Sequence, residues 1–276
     1  MQAVRFVGSD GVAHIGALEG EVVRDAGVAG PLGFVPSPEG WERVAAAAGP
    51  EHPLAELTLL HPVHAPKILA MAVNYRSHAD ESDLDVPAVP VMFAKFPSSL
   101  IGSGAPIVIP REETRPDWEG EVAIVIGQRT YRADRDAALA AIGGISALND
   151  VSGRRAQLET PLRQFTLGKS FDTFTPMGPA LSSPDSLDFE DIELTTTVSG
   201  EVMQQANTRE LIYSFVDLVI YLSAGTTLEP GDVIATGTPA GVGDTRDPRR
   251  YLREGDVVEV HVAGVGTLSN PVVFES

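Results

Sequence analysis

The sequence predicts a mainly β fold of the α+β class, made of a small N-terminal domain and a larger main domain. From Lys67 onward the apolar runs are short and rich in β-branched residues, as in KILAMAVN, EVAIVIG, DIELTTTVSG and GDVVEVHV. Such runs are typical of strands, and their density disfavours a regular alternation of strand and helix. The proline- and histidine-rich segment LTLLHPVHAPK precedes them. We therefore predict a small domain at 1–64 and a main domain at 65–276.

The N-terminal portion shows a pattern of its own. Three apolar runs punctuated by glycine indicate short strands: QAVRFVG, GVAHIGALEG and EVVRDAG. The alanine-rich stretch SPEGWERVAAAAG that follows them is typical of a helix. Short strands with one helix indicate a small α/β domain.

Two helices are predicted in the main domain. The first is the alanine-rich ADRDAALAAIGG, which ends on glycines. The second is NTRELIYSFVDLVIYLSAG, which begins with a capping-box pattern at Asn207 and Glu210 and reaches a suitable stop at Gly225. Its apolar side chains recur at helical spacing, at Leu211, Phe215, Leu218 and Leu222. We expect this longer helix to be core scaffolding.

Composition and charge exclude several classes of function. The chain has 276 residues, and 20 Lys and Arg against 38 Asp and Glu give a formal charge of −18. Such an acidic surface repels phosphate backbones and anionic lipids, so neither nucleic acid nor a membrane is an expected partner. The absence of cysteine excludes disulfides, thiolate metal sites and cysteine nucleophiles. With no apolar run long enough to span a membrane, a cytoplasmic location is expected.

The stretch DWEGEVAIVIG places two acidic residues at the start of a predicted strand. Strand alternation puts Glu119 and Glu121 on one face, about 7 Å apart. A solvated strand end is the ordinary explanation of such a pair. Asp150, however, ends a second apolar run, GGISALND, where side chains leave the core. Three carboxylates would favour a hard cation, Mg²⁺ or Mn²⁺ with Ca²⁺ as the alternative, but spacing alone leaves their convergence open.

Six segments together resemble the fumarylacetoacetate hydrolase family in sequence and in order. They are NYRSHADE (74–81), FAKFPSSLIG (93–102), DWEGEVAIVIG (117–127), NDVSGRRAQ (149–157), LGKSFDTFTPMGP (167–179) and GDVIATGTPAGVG (231–243). The resemblance implies a β-roll main domain, a homodimer and one divalent cation held by Glu119, Glu121 and Asp150. The first 64 residues resemble the small N-terminal domain that many members carry.

The same resemblance implies further site residues. His78 and Glu81 are three residues apart, so on one helical turn the carboxylate can reach the imidazole and raise its basicity. The family's pattern makes this pair the activator of water, whereas the alternative is a surface ion pair. It also implies a catalytic Lys169 and substrate contacts from Arg154, Gln157 and Thr238. The other histidines are expected to be structural: His14, His52, His61, His64 and His261.

Substrate choice depends on features that the sequence describes only in outline. Ala72 stands where the family usually has glycine, and Arg155 stands where it usually has aspartate. The segment ESDLDVPAVP, with its two prolines, is expected to form a mobile loop over the site.

The leading hypothesis is hydrolysis of a carbon–carbon bond in a 2,4-dioxo acid of the acylpyruvate or fumarylpyruvate type, as in aromatic catabolism. The cation would hold the pyruvoyl end of this small anionic substrate, while His78 and Glu81 activate water and Lys169 stabilises the enolate. The alternatives are decarboxylation of oxaloacetate or a related oxo acid, keto–enol isomerisation, and isomerisation or hydration of an oxo-dienoate. The non-enzymatic alternative is a catalytically silent metal-binding homologue.

Overall fold

The structure is a computed structural model that describes residues 1–30 and 33–276. Its first strands are β1 (Gln2–Val7), β2 (Ala13–Glu19), β3 (Val22–Val28), β4 (Glu51–Pro53), β5 (Leu59–Leu60), β6 (Ile68–Met71), β7 (Met92–Lys95), β8 (Leu100–Ile101), β9 (Ile107–Ile109) and β10 (Pro116–Asp117). The later strands are β11 (Gly120–Ile126), β12 (Ile142–Asn149), β13 (Ser152–Gly153), β14 (Thr175–Ser182), β15 (Glu193–Val198), β16 (Glu201–Asn207), β17 (Val233–Ala235), β18 (Val257–Val262) and β19 (Gly266–Phe274). The helices are α1 (Pro38–Ala45), α2 (Arg76–Glu81), α3 (Arg135–Ala141), α4 (Arg154–Leu158), α5 (Phe165–Gly168) and α6 (Phe215–Ser223).

Most of these strands join one large mixed sheet, so the predicted mainly β fold is confirmed. Within the described residues this sheet has twelve strands, in the order β4-β3-β2-β1-β14-β12-β11-β17-β6-β7, with β5 on β1 and β8 on β14. A second sheet of five strands follows the order β16-β15-β18-β19-β9. Most neighbours are antiparallel, but β17 runs parallel to β6 and brings residues 233–235 beside residues 68–70.

The N-terminal strands extend the large sheet. The three predicted strands are confirmed as β1, β2 and β3, and the predicted helix as α1. β1 pairs with β14, with Gln2 opposite Ser182 and Ala3 opposite Leu181. The predicted boundary at 64 lies in the segment between β5 and β6, and the division into two domains stays a prediction.

The central strand β11 is buried along its whole length because it faces two cores. Val122, Ile124 and Ile126 belong to the same buried cluster as the apolar side of α6. Ala123 and Val125, on the other face, pack with residues of β6, β17 and the N-terminal strands. A strand covered on both faces is apolar at nearly every position, which explains the uninterrupted VAIVI sequence.

The helix predicted over 207–225 is shorter than expected. Thr208–Glu210 form a 3₁₀ turn with the predicted capping box, and α6 begins only at Phe215, after a second capping box at Ser214 and Asp217. Between them Leu211 pairs with Tyr75, and the Asn74 side chain accepts from Tyr213 N at 2.8 Å and donates to Tyr213 O at 3.1 Å, so the chain is held out of the helix. The other predicted helix is confirmed as α3. None of the helices described is both long and apolar enough to cross a membrane.

Candidate active site

Three buried carboxylates meet where β11 and β12 end. Glu119 precedes β11, Glu121 is its second residue, and Asp150 follows β12. The pairing of Gly120 with Asn149 sets these ends side by side, and Asp150 N donates to Glu119 O at 2.8 Å. One carboxylate oxygen from each acid lies within 4.8 Å of the others. Asp150 therefore does converge on the two glutamates, which spacing alone left open.

Buried cations surround the carboxylates. Lys169 Nζ donates to Glu119 Oε2 at 2.5 Å and to Asp150 Oδ2 at 2.9 Å. Arg154 Nη2 donates to Glu119 Oε1 at 2.7 Å. Lys95 Nζ donates to Asp150 Oδ1 at 2.5 Å from the far side. Because each of these charges is removed from water, the pairs depend on one another to remain ionised.

The acids of the cluster differ in their tendency to ionise. Burial, followed by the Asp150 and Glu119 carboxylates, raises the pKa of Glu121 well above its usual range. Burial opposes ionisation of Glu119 too, but Lys169 and Arg154 lower the pKa of that carboxyl to about 2. Glu121 is therefore the acid that keeps its proton to the higher pH, and a cation would compete with that proton.

The residues present fit a divalent cation. Glu121 Oε2 accepts from Gly237 N at 2.7 Å, whereas Glu121 Oε1 is buried with no hydrogen-bond partner among the described residues. A buried, unpartnered carboxylate oxygen is rare and points to a missing ligand. An all-oxygen donor set suits a hard cation, which Glu119, Glu121 and Asp150 would hold.

His78 and Glu81 form the contact that their spacing predicts. Both lie on α2, and His78 Nδ1 donates to Glu81 Oε1 at 2.8 Å. Glu81 Oε2 in turn accepts from Gly241 N at 2.9 Å and Thr245 Oγ1 at 3.0 Å, so the carboxylate is fixed from the opposite side. With Nδ1 as donor, Nε2 is the basic nitrogen of the ring.

One cavity is lined by the histidine pair and by Glu119 of the carboxylate cluster. It has a volume of about 840 Å³, and its wall includes His78, Glu81, Glu119, Arg154, Gln157 and Lys169. Volumes of roughly 300–1,000 Å³ are usual for small-molecule sites. The cavity therefore offers a ligand both the imidazole of His78 and Glu119, the one acid of the three-carboxylate cluster that lines it.

Two of the three predicted substrate-binding residues line the cavity. Arg154 and Gln157 line the cavity, and Arg154 Nη1 donates to Gln157 Oε1 at 3.1 Å. Thr238 is not among the described residues that line it. Its hydroxyl donates to Gly120 O at 3.0 Å and accepts from Gln204 Nε2 at 2.7 Å. The roles assigned to these residues stay predictions.

The segment after α2 forms part of the cavity wall. Ser82, Asp83, Leu84, Asp85 and Pro87 all contribute to the lining. The Tyr213 hydroxyl, which donates to Pro87 O at 2.6 Å, ties this segment to the residues before α6. Its mobility stays a prediction.

The two departures from the family's pattern lie in different places. Ala72 lines the cavity, and its N–H donates to Val91 O at 2.9 Å. Arg155 does not line this cavity, and its guanidinium donates to Glu159 Oε2 at 2.9 Å on the outer side of α4. Of the two, only Ala72 is therefore placed to affect the cavity directly.

The sequence did not single out Lys95 or Asp117. Lys95 is 2% exposed, and its ammonium group donates to Asp150, to Lys169 O and to Phe174 O. Asp117 is fully buried, and Asp117 Oδ2 accepts from Arg154 Nε at 2.9 Å. Strand alternation from Phe93 places Lys95 on the buried face of β7, and this is the signal that could have identified it.

Comparison with known proteins gives consistent matches. Residues 67–273 match the family described as fumarylacetoacetate (FAA) hydrolase C-terminal. The Homo sapiens protein named oxaloacetate tautomerase FAHD2A, mitochondrial, is 40% identical over 233 residues, which are 84% of this chain and 74% of the human one.

Solved structures match over the whole chain. The 2-hydroxyhepta-2,4-diene-1,7-dioate isomerase from Mycobacterium marinum has a TM-score of 0.82 and 34% identity, over 100% of this chain and 99% of the other. The fumarylacetoacetate hydrolase from Exiguobacterium antarcticum has a TM-score of 0.86 and 36% identity, over 100% of both chains.

Proposed function

Because the chain belongs to the fumarylacetoacetate hydrolase family, we propose that it is a divalent-cation-dependent enzyme that interconverts the keto and enol forms of a small 2-oxo acid such as oxaloacetate. The observation that carries the proposal is the shared cavity, which is lined by the His78–Glu81 pair and by Glu119 of the carboxylate cluster. The human relative is named for tautomerisation of oxaloacetate, and the Mycobacterium marinum protein for an isomerisation. Both reactions require a proton to move beside a carbonyl group.

The residues of the chain supply a base and a positively charged pocket. When bound, a divalent cation polarises the 2-oxo and carboxylate oxygens of a substrate and so acidifies the adjacent C–H bond. His78 Nε2 accepts the proton from carbon, and Glu81 stabilises the positive charge that the ring then carries. Lys169 and Arg154 provide positive potential where the enolate oxygen develops its charge. His78 returns the proton to oxygen, which completes the conversion of the keto form to the enol.

Hydrolysis of a carbon–carbon bond is the second candidate. It is favoured by the likeness to the Exiguobacterium antarcticum protein, which is named a fumarylacetoacetate hydrolase. It requires a water molecule beside His78, and with that water excluded the same enolate chemistry would lead to tautomerisation or to decarboxylation of oxaloacetate. The preference for Mg²⁺ or Mn²⁺, the homodimer and the cytoplasmic location stay predictions.

A substrate panel tests the proposal. The purified chain is incubated with Mg²⁺ and oxaloacetate, acylpyruvates or fumarylpyruvate, while enol absorbance, pyruvate and CO₂ are measured. We expect accelerated keto–enol exchange of oxaloacetate without CO₂ release, abolished by EDTA and restored by Mg²⁺ or Mn²⁺. Release of pyruvate from an acylpyruvate would instead establish hydrolysis. Release of CO₂ from oxaloacetate would establish decarboxylation. A chain that turns over none of these substrates would be the silent metal-binding homologue.

A further inference from the structure

The cavity has an outer part that the carboxylate cluster does not occupy. Glu119 and Lys169 are 5% and 3% exposed, so they mark its deep end. Arg163 and Arg249 also line the cavity but are exposed, so they mark its rim. A substrate whose oxo-acid end lies at the cluster would therefore extend its other end towards the rim.

The arginines at the rim differ in the hydrogen bonds and ion pairs that their guanidinium groups already form within the protein. Arg246 donates to Met203 O at 2.9 Å and to Gly241 O at 3.2 Å, so its guanidinium is held by backbone carbonyls. Arg249 lies 3.9 Å from Asp244 Oδ1. For Arg163, no hydrogen bond or ion pair of the guanidinium is found within residues 1–30 and 33–276. Arg163 is thus the rim cation whose charge is available to a ligand.

The backbone of Arg163 is in an unusual conformation. Its φ of 36° lies in the left-handed region, which residues other than glycine seldom occupy. The turn is closed by Arg163 N, which donates to Thr160 O at 3.0 Å. Such strain persists only where surrounding structure enforces it, and it is concentrated at functional sites.

One short segment sets the distance between the deep and the outer cations. Arg154 begins α4 and Lys169 follows α5, so the two cations that contact Glu119 lie at its ends. Arg163 lies in the turn between these helices. Gln164 N donates to Gln157 O at 2.9 Å and fastens this turn to α4. The backbone of the turn that carries Arg163 is therefore anchored to the helix that carries Arg154 and Gln157.

We propose that Arg163 binds the distal carboxylate of a 2-oxo dicarboxylic acid and makes the site selective for diacids over monoacids. The inference rests on the proposed function for the deep end of the cavity. Acidic residues also line the cavity near its rim: Asp83, Asp85, Asp244 and Asp247. Because these acids repel an anion, a second carboxylate needs a cation at the rim, and Arg163 supplies it.

Pairs of 2-oxo acids of equal chain length test the assignment. The probes are oxaloacetate with 2-oxobutanoate, and 2-oxoadipate with 2-oxohexanoate, whose affinities are measured by calorimetry in the presence of Mg²⁺. We expect the wild type to prefer the diacid of at least one pair. Arg163→Ala should weaken binding of that diacid about three- to tenfold and leave the matching monoacid unchanged, and Arg163→Lys should restore part of the preference.

Arg132→Ala is the matched control. Arg132 is also exposed and also has a positive φ, 54°, but it does not line the cavity, so its replacement should keep the diacid preference. Equal weakening of diacid and monoacid by Arg163→Ala, or a wild type without preference, would overturn the assignment. The proposed function is judged separately, by keto–enol exchange in the wild type. A diacid preference that depends on Arg163 in a chain without turnover would refute that function and support this inference.

Discussion

Glu119 has a cation on each of its carboxylate oxygens. Arg154 contacts Oε1 and Lys169 contacts Oε2, so this acid is held ionised and in one orientation. Glu121 is held through one oxygen only, and its other oxygen has no partner in the part of the chain that the structure describes. The two glutamates therefore differ: both carboxylate oxygens of Glu119 are engaged, whereas one oxygen of Glu121 remains available to a ligand.

Replacement of His78 and of Glu119 should separate catalysis from cation binding. His78→Ala removes the base, so kcat should fall about 10²–10⁴-fold while Mg²⁺ still binds, because His78 is not one of the three carboxylates. Glu119→Ala should lose both activity and cation binding. Activity is measured with oxaloacetate, and Mg²⁺ binding by calorimetry.

The exposed His261, whose Nδ1 lies 3.0 Å from Thr267 Oγ1, provides the control. His261→Ala should leave both measurements unchanged. Full turnover by His78→Ala would show that another group moves the proton.

At the residue scale, the sequence could predict what alternation and family-like segments determine. Alternation placed Glu119 and Glu121 on one face, and the three-residue spacing brought His78 to Glu81. Lys95 was missed because its partner Asp150 lies 55 residues away and in a different strand. Spacing within a segment cannot show such a contact, because it depends on which strands become neighbours.

At Gly120, strand β11 lies close to a side chain of the five-stranded sheet. A Cβ at this position would lie 1.9 Å from Thr196 Oγ1, a side chain of the five-stranded sheet. The next nearest atoms are Thr196 Cβ at 3.2 Å and Val260 Cγ1 at 3.3 Å, so the added methyl would crowd two side chains of the five-stranded sheet. The glycine between Glu119 and Glu121 therefore allows the close packing behind the carboxylate cluster.

Gly120→Ala should consequently destabilise the fold by about 1–3 kcal/mol through overpacking. The free energy of unfolding is measured by urea titration. Gly225→Ala, at an exposed position where an added Cβ meets nothing within 4 Å, should change it by less than about 0.5 kcal/mol. Equal effects of the two substitutions would contradict the close approach at Gly120.

The segment between β5 and β6 is joined to β1 by the half-buried His61 and the buried Arg5. Arg5 Nη1 donates to His61 O at 2.8 Å, and His61 Nδ1 donates to Val63 O at 2.6 Å. Burial lowers the pKa of His61 to about 4, although the bond to Val63 opposes this. The folded chain therefore keeps His61 neutral at pH values where the unfolded chain, with a pKa of about 6.5, protonates it.

This difference predicts a loss of stability in mild acid. Between pH 6.5 and 4 the unfolded chain binds a proton that the folded chain does not, so the contribution of His61 is complete above pH 6.5 and decreases as the pH falls. His61→Asn should reduce the fall in unfolding free energy between pH 7.5 and pH 5 by about 1–2 kcal/mol. Urea titrations at both pH values measure it. The exposed control His261→Asn should retain the wild-type dependence, and an unchanged pH dependence in His61→Asn would refute the assignment.

At the scale of elements, predictions agree with the structure where a local sequence pattern determines the element. They fail where a contact with a distant residue determines it. Both α3 and the 3₁₀ capping box at Asn207 lie where their residues predict. The late start of α6 depends on Asn74, which is 139 residues from Tyr213 and forms hydrogen bonds with its backbone. Helical periodicity in 207–225 contains no trace of that contact.

At the scale of the whole molecule, cation binding should stabilise the folded state. The three carboxylates meet only after β11 and β12 pair, so a divalent cation that they hold would bind the folded chain far more tightly than the unfolded one. Such binding adds about 2.7 kcal/mol at a ligand concentration of 100 times Kd. Thermal unfolding with Mg²⁺ should therefore occur at a higher temperature than with EDTA.

The net charge of −18 requires a control for screening, because any added salt reduces repulsion within an acidic protein. NaCl of equal ionic strength should raise the unfolding temperature less than Mg²⁺ does. Glu119→Ala should lose the difference between the two salts. An equal response of wild type and variant would mean that Mg²⁺ acts on the surface and not at the cluster.

The fold class could be predicted because it depends on local strand patterns, but the strand order could not. The parallel pairing of β17 with β6 joins residues more than 160 positions apart, and no local pattern specifies it. That pairing places the chain that follows β17 beside α2. Glu81 consequently receives a hydrogen bond from Gly241, 160 residues further along the sequence.

The long-range pairing of β17 with β6 has a consequence for the order in which the site forms during synthesis. While the ribosome is still producing the chain, residues 78–150 emerge before the loop that fixes Glu81 and Glu121 exists. Domains fold as units once their sequence is available, and non-local pairing is slow. We therefore expect the backbone donors to Glu81 and Glu121 to be the last parts of the site to be added.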